Sequence, residues 1–259
     1  MIPAGELLPV NYYLENFQYL LDFVSRRYDD ILLEEEKHYF LTFQQLPQSA
    51  RQIYVRLVSR KGPLFRRDKL YYVEIEDIDA GLLRLQEIGW VDEAPDVRVE
   101  DLLDLLTKPE LLEFASSHEA AISSQFPKAQ VIASLSEALT VGDVRDGLPF
   151  KVIQPRMLEH LSIYRMLFFG NQHQDFTEFV LRDLGITPFE QYPLDLQSRL
   201  FDERCIVDQA MQLNALAELS EVLLPDAGAE ALMEVVGLIP RVDDDKAILI
   251  RRKIGRAHV

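Results

Sequence analysis

Seven cations crowd the stretch Arg51–Lys69, RQIYVRLVSRKGPLFRRDK: Arg51, Arg56, Arg60, Lys61, Arg66, Arg67 and Lys69, with Asp68 the one acid among them. The stretch carries +6 in a chain of net charge −16, which leaves −22 for the remainder. One concentrated basic patch adds nothing to the solubility of an acidic protein. The chemistry it suits is the holding of an anion, above all a phosphate backbone. Tyr54, Phe65, Tyr71 and Tyr72 interleave the cations, and aromatic faces beside cations suit bases and sugars. The bland alternative is a solvated cationic helix face. The density of the cluster and its near lack of acids weigh against that. No base-reading pattern accompanies it, so backbone-directed contact is expected, with affinity falling steeply as salt rises.

Catalytic chemistry is not assembled by these residues. There is no Gly-rich phosphate loop, HExxH, CxxC or GxSxG. His38, His118, His160, His173 and His258 are scattered, and His173 with Asp175 makes two ligands without a third. Glu34-Glu35-Glu36-Lys37-His38 would point in different directions on a helix, which predicts a solvated face, and Asp243-Asp244-Asp245 reads as a solvated loop. A nuclease of the PD-(D/E)xK type needs Asp and then Glu-x-Lys on paired strands to hold metal and activate water; no such arrangement appears. The expected catalytic and metal sites are therefore none. Cys205, in FDERCIVDQA, is expected to be a buried structural thiol.

The elements that must carry the basic stretch follow from periodicity. Leu14, Phe17, Leu21, Val24, Tyr28 and Ile31 recur at helical steps and predict one long amphipathic helix from Tyr12 to about Phe43. Pro47 ends it, and Ser49 with Gln52 predicts a capping box opening a second helix. Ile53, Tyr54, Leu57 and Val58 form its apolar side, and Arg56 and Arg60 share the exposed one. Gly62-Pro63 stops that helix; Leu64–Ile75 is short extended or mixed structure. Asp77–Ile88 is helix again, closed by Gly89 before a short strand at Trp90-Val91. That order is the order of a winged helix-turn-helix module.

Acidic residues and Pro95 mark a boundary at 92–98, followed by short helices at Val99–Leu106 and Leu111–Ala115, a small hairpin like a SAP motif, and by a helix at Lys128–Leu139. From Pro155 the spacing predicts helices at Met157–Phe169, Phe176–Leu184, Leu194–Leu224 and Ala229–Gly237, stacked as hairpins. The expected class is mainly α, with a helix and winged-helix module over 1–95, a SAP-like region over 96–150 and TPR-like stacked helical hairpins, incomplete, over 151–253. The final hexapeptide, Ile254–Val259, is what a common sequencing adapter encodes in one frame, so the natural sequence is expected to continue differently after about Lys253.

An ordinary 48 % hydrophobic and 27 % charged content excludes a disordered or fibrous chain. A single cysteine excludes an internal disulfide framework and suits a reducing compartment. The start lacks a secretory pattern, and no apolar run reaches the ~20 residues that span a bilayer. The expectation is an intracellular protein with no membrane partner, nucleoid-associated in a prokaryote or nuclear in a eukaryote.

Three strings, YYLENFQYLLDFV (Tyr12–Val24), LPQSARQIYVRLVSRKGPLFRRDKLYYVEI (Leu46–Ile75) and LFFGNQHQDFTEFVLRDLGI (Leu167–Ile186), together resemble the Fanconi-associated nuclease family, the VRR-NUC domain-containing proteins. The similarity runs to about residue 250. It implies a winged-helix and SAP-like DNA-binding region, a TPR-like region, and a VRR-NUC nuclease domain beyond them that uses Mg²⁺ or Mn²⁺. It implies a structure-specific 5′-flap endonuclease and 5′–3′ exonuclease (phosphodiesterase I type) of interstrand cross-link repair. This chain matches the DNA-binding and helical parts only, so the nuclease domain is expected to be missing from it. The match YVRLxxRK puts Arg56, Arg60 and Lys61 on the family's DNA-facing surface, with Arg66, Arg67, Lys69 and Tyr72 as neighbours; it carries over no catalytic residue. The partner implied is flapped or branched DNA. Two other readings stand beside this one: a self-contained winged-helix regulator with a helical region that makes a homodimer, and a helical scaffold whose acidic half binds a basic protein.

Overall fold

The computed structural model describes residues 10–93, 95–118, 120, 122–172 and 199–223. Among them are ten α-helices and three short strands, so the mainly helical class holds. The chain divides into two compact units, one from residues 1–45 and 157–259, the other Leu46–Arg156.

The first unit holds α1 (Tyr12–Arg27), α2 (Glu34–Gln45), α9 (Leu158–Phe169) and α10 (Arg204–Leu223). The apolar face read from spacing is the buried one: Leu14, Phe17, Leu21, Val24 and Tyr28 face inward. Phe17 meets Phe43 at 4.9 Å, and Tyr39 meets Tyr164 at 5.8 Å. The predicted single helix from Tyr12 to Phe43 is two helices, broken at 28–33. Two groups fix the break. Arg199 donates to both carboxylate oxygens of Asp30 at 2.6 and 2.7 Å, which holds that carboxyl below its usual range. Glu36 reaches back to accept the Leu33 N–H at 2.9 Å and so caps α2. The expected solvated face at Glu34–His38 is therefore wrong at Glu36, which is buried and accepts from Arg204 at 2.6 Å. A buried carboxylate of this kind survives only with such a partner. Tyr164 donates to the Glu36 carbonyl at 3.1 Å, and burial pushes its hydroxyl up to about 12.

Helix α10 begins at Arg204, ten residues after the expected start; residues 199–203 form no helix. Cys205 in its first turn is exposed, which corrects the buried reading. Its thiol donates to Glu203 at 3.4 Å and is raised by that neighbour, which makes it a poor nucleophile. The expected helices at Phe176–Leu184 and Ala229–Gly237, the His173–Asp175 pair, Asp243–Asp245 and the terminal hexapeptide lie outside the described residues.

The second unit holds α3 (Gln48–Val58), β1 (Phe65–Arg66), a 3-10 turn (Arg67–Lys69), α4 (Ile78–Glu87), β2 (Val91–Asp92), α5 (Val99–Asp104), α6 (Lys108–Ser117), α7 (Lys128–Ala138), α8 (Val141–Gly147) and β3 (Val152–Pro155). Helix α3 starts at Gln48 after Pro47 with no side-chain cap, so the capping box expected at Ser49 is absent. Asp77 instead caps α4 by accepting the Ala80 N–H at 2.8 Å. Gly89, at φ +73°, ends α4, with the Trp90 N–H returning to the Leu85 carbonyl at 2.8 Å. That left-handed turn is one glycine adopts without strain. Thr140 and Asp143 form a capping box on α8, a helix the periodicity did not reveal.

The strands pair in the order β1-β3-β2, both partners antiparallel to β3. Phe65 faces Ile153 and Val91 faces Pro155. The two strands near the basic stretch are thus joined by a third that lies some sixty residues further along the sequence. Tyr54 packs on Trp90 at 4.7 Å and donates to the Arg156 carbonyl at 3.1 Å. A second apolar cluster, with Leu102, Leu103, Leu111, Phe114, Val131, Leu135 and Val144, binds α5 to α8.

Candidate nucleic-acid interface

Six of the seven cations split into two groups by their partners; Arg51, in the first half of α3, is half-buried with its Nε unpartnered and belongs to neither. Arg56, on the last turn of α3, donates through Nε to Glu74 at 3.0 Å, forms a second short contact through Nη2, and lies over the Tyr72 ring at 5.4 Å. Arg66, on β1, is 10 % exposed. It donates to Asp68 at 3.0 and 2.8 Å and to Glu110 at 2.7 Å, and its guanidinium stacks on Phe150 at 3.9 Å. Arg67 donates to Asp79 at 3.0 Å and to the Leu70 carbonyl at 3.3 Å. These three charges are largely offset by carboxylates of the same unit.

Arg60, Lys61 and Lys69 are different. All three are exposed, and none forms an ion pair among the described residues. Helix α3 ends at Val58, so Arg60 stands past its end, not on its face as the spacing implied. There it donates to the Tyr72 hydroxyl at 3.2 Å and lies over Phe65 at 5.4 Å. Its aromatic contacts orient the guanidinium without neutralising it. Tyr72 is thereby a positioning group, held by Arg56 on its face and by Arg60 at its hydroxyl.

Of the interleaved aromatics, Tyr54 and Phe65 belong to the core, at 0 % and 6 % exposure; only Tyr71 stands out in solvent. The linear reading also missed Lys151, whose carbonyl accepts the Arg67 N–H at 2.9 Å beside the island. Its own ammonium is paired with Glu93 at 3.0 Å. A cavity of about 300 Å³ at the start of α3 is lined by Gln48, Ser49, Gln52, Glu74, Glu76 and Asp77. Three carboxylates and no cation make it unsuited to phosphate.

Arg66 has a structural role that pH can expose. Its guanidinium, helped by the Thr107 backbone N–H, holds the Glu110 carboxyl down to about 2 from 4.5. A carboxyl depressed in the fold contributes stability above its unfolded value and loses it as pH falls through the folded one. Acid destabilisation from this group therefore lies between about pH 4.5 and 2. The substitution Arg66→Ala is expected to cost about 2 kcal/mol near neutrality, since it strips charge-assisted hydrogen bonds from a nearly buried group. It should also flatten the acid limb, as urea titrations at several pH values would show.

No group of three His, Cys, Asp or Glu side chains that could hold a metal occurs among the described residues. The described residues therefore supply no ligand set for a catalytic metal.

The FAN1 HTH domain family matches residues 11–92. A Fanconi-associated nuclease 1 homolog of Pseudomonas aeruginosa is 34 % identical over 216 residues, 80 % of this chain and 39 % of that protein. The homolog of Oryza sativa is 23 % identical over 252 residues, 87 % of this chain and 25 % of that protein. The chain superposes on the crystal structure of paFAN1 bound to 2nt 5′flap DNA with gap at a TM-score of 0.84 and 29 % identity, covering 96 % of this chain and 45 % of that one. The paFAN1 structure with 1nt 5′flap DNA gives 0.81 and 30 %, with 95 % and 45 % covered. The chain thus spans less than half the length of these relatives. With its helix-turn-helix segment, its sequence and its backbone all agreeing, the chain belongs to the Fanconi-associated nuclease family.

Proposed function

We propose that this chain is the DNA-engaging part of a structure-specific repair nuclease and that it holds flapped or branched DNA by its phosphates. The observation that carries this is the trio Arg60, Lys61 and Lys69, exposed and without ion pairs among the described residues, while Arg56, Arg66 and Arg67 beside them are matched by acids. The solved relatives bound to 5′ flap DNA supply the substrate class. Helix α3 with α4 acts as the helix-turn-helix core, the loops around β1 as its wing, and α5 with α6 as the SAP-like hairpin. The 5′-flap endonuclease and 5′–3′ exonuclease activity, with Mg²⁺ or Mn²⁺, belongs to the longer protein, where a nuclease domain supplies the ligands.

Binding to a fluorescent 5′-flap duplex should weaken linearly on a log–log plot against salt. Three phosphate contacts correspond to a slope of about −3. A slope near zero overturns the proposal.

A further inference from the structure

The turn after the 3-10 segment is built to hold two apolar side chains out in water. Leu70 and Ile75 anchor its ends in the core at 3 % and 5 % exposure. The Ile75 N–H donates to the Tyr72 carbonyl at 3.2 Å and closes the turn. Tyr72 is held by Arg56 and Arg60, Glu74 is held by Arg56, and the Glu74 carbonyl accepts from Gln52 at 3.5 Å. Between these fixed points Tyr71 is 79 % exposed and Val73 is 86 % exposed. A solvated turn ordinarily takes Gly, Asn, Asp or Ser at such places. A single exposed apolar residue means little, but two within three residues on a pinned turn are a surface prepared for contact.

What that surface meets is indicated by its neighbours. Lys69 lies two residues before Tyr71 and Arg60 bonds the residue after it, with Lys61 adjacent. Most acids nearby are engaged elsewhere, Asp68 with Arg66, Asp79 with Arg67, Glu74 with Arg56 and Asp77 with the Ala80 amide; Glu76, exposed past the anchored Ile75, is the exception and forms no ion pair among the described residues. An apolar, aromatic tip ringed by unpaired cations fits an unstacked base between phosphates and fits neither an acidic peptide nor a wholly apolar groove as well.

We infer that Tyr71 and Val73 form a stacking platform for the unpaired or terminal base at a DNA junction, while Arg60, Lys61 and Lys69 take the flanking phosphates. The inference rests on the DNA-holding function above and deepens it: the platform supplies the preference for a junction, the cations supply affinity for any duplex. Stacking on an aromatic side chain is worth about tenfold or more per base.

The test uses the whole chain with two probes, a 5′-flap duplex carrying 2-aminopurine at the junction and a blunt duplex of equal length. The double variant Tyr71→Ala, Val73→Ala is expected to lose about tenfold of the preference for flap over blunt DNA. It should also abolish the 2-aminopurine fluorescence change, with blunt-duplex affinity and salt slope unaltered. Tyr71→Phe, which keeps the ring, should retain both. A double variant that keeps preference and fluorescence change while the wild type binds normally overturns the platform and leaves DNA holding intact. A wild-type chain that binds neither probe overturns the DNA function itself; the exposed turn is then a protein-docking surface and this inference falls with it.

Discussion

The triple variant Arg60→Glu, Lys61→Glu, Lys69→Glu is expected to lose flap-DNA binding at moderate salt and to keep its fold. Each phosphate contact contributes about 0.9 to the log–log salt slope, so removing three at 0.1 M salt costs about 2.7 decades, roughly 500-fold. Reversal of sign adds repulsion to that loss. All three side chains are exposed and free of ion pairs among the described residues, so no buried carboxylate is orphaned by the change. Surface substitutions of this kind leave stability within about 0.5 kcal/mol. Fluorescence anisotropy for binding and thermal unfolding for the fold separate the two effects. Unchanged affinity in a folded variant would sink the assignment of this surface.

The choice of residues decides whether that experiment means anything. Arg56 looks equivalent in the sequence, being four residues from Arg60. Its reversal would instead set a second acid against Glu74, whose side chain is 12 % exposed, and would release Tyr72 and the turn beyond it. Lost binding would then report a broken scaffold. Arg67→Ala is the matched control, because Asp79 already offsets its charge. It should change the salt slope far less than the loss of Lys69 does.

Helix α3, the stop near Gly62, helix α4 and its closure at Gly89 were all legible, since each depends on apolar spacing and on a glycine or proline within a few residues. The island was legible as a charge excess. Its division was not, because Glu110 and Asp79 lie 44 and 12 residues from the arginines they bind. The same distance hid β3, which pairs with β1 across the span from Phe65 to Ile153. Local pattern also misjudged Glu36, whose neighbours in sequence are solvated acids; only Arg204, remote along the chain, makes its burial tolerable. Cys205 failed for a related reason. A helical thiol is usually buried, but Ile206 and Val207 take the inward side of α10 and turn Cys205 out.

Gly81→Val is expected to cost about 3 kcal/mol and to reduce DNA binding with it. Gly81 is buried in α4 where that helix crosses the first turn of α3. A β-carbon there would overlap Ile53 Cδ1 and lie 3.1 Å from the Ser49 carbonyl carbon and 3.2 Å from the Ala50 nitrogen. Two effects compete in the smaller change Gly81→Ala. Alanine gains about 1 kcal/mol of helix propensity, while overpacking costs about 1–3 kcal/mol. The Ile53 methyl can rotate aside, but the α3 backbone can yield only by moving the helices apart. The backbone contact therefore wins, and alanine should lower stability by about 1 kcal/mol net. Valine adds two methyls to the same gap and has no equivalent gain. Spreading α3 from α4 also displaces Gln52 and Arg56, which fix the Glu74 turn, so the cation trio and the exposed Tyr71 lose their common frame. Urea unfolding of the two variants tests the order. Adding Ile53→Val to Gly81→Ala tests the cause: recovery of stability would put the clash in the Ile53 side chain, and no recovery would put it in the backbone, as the 3.1 and 3.2 Å approaches require.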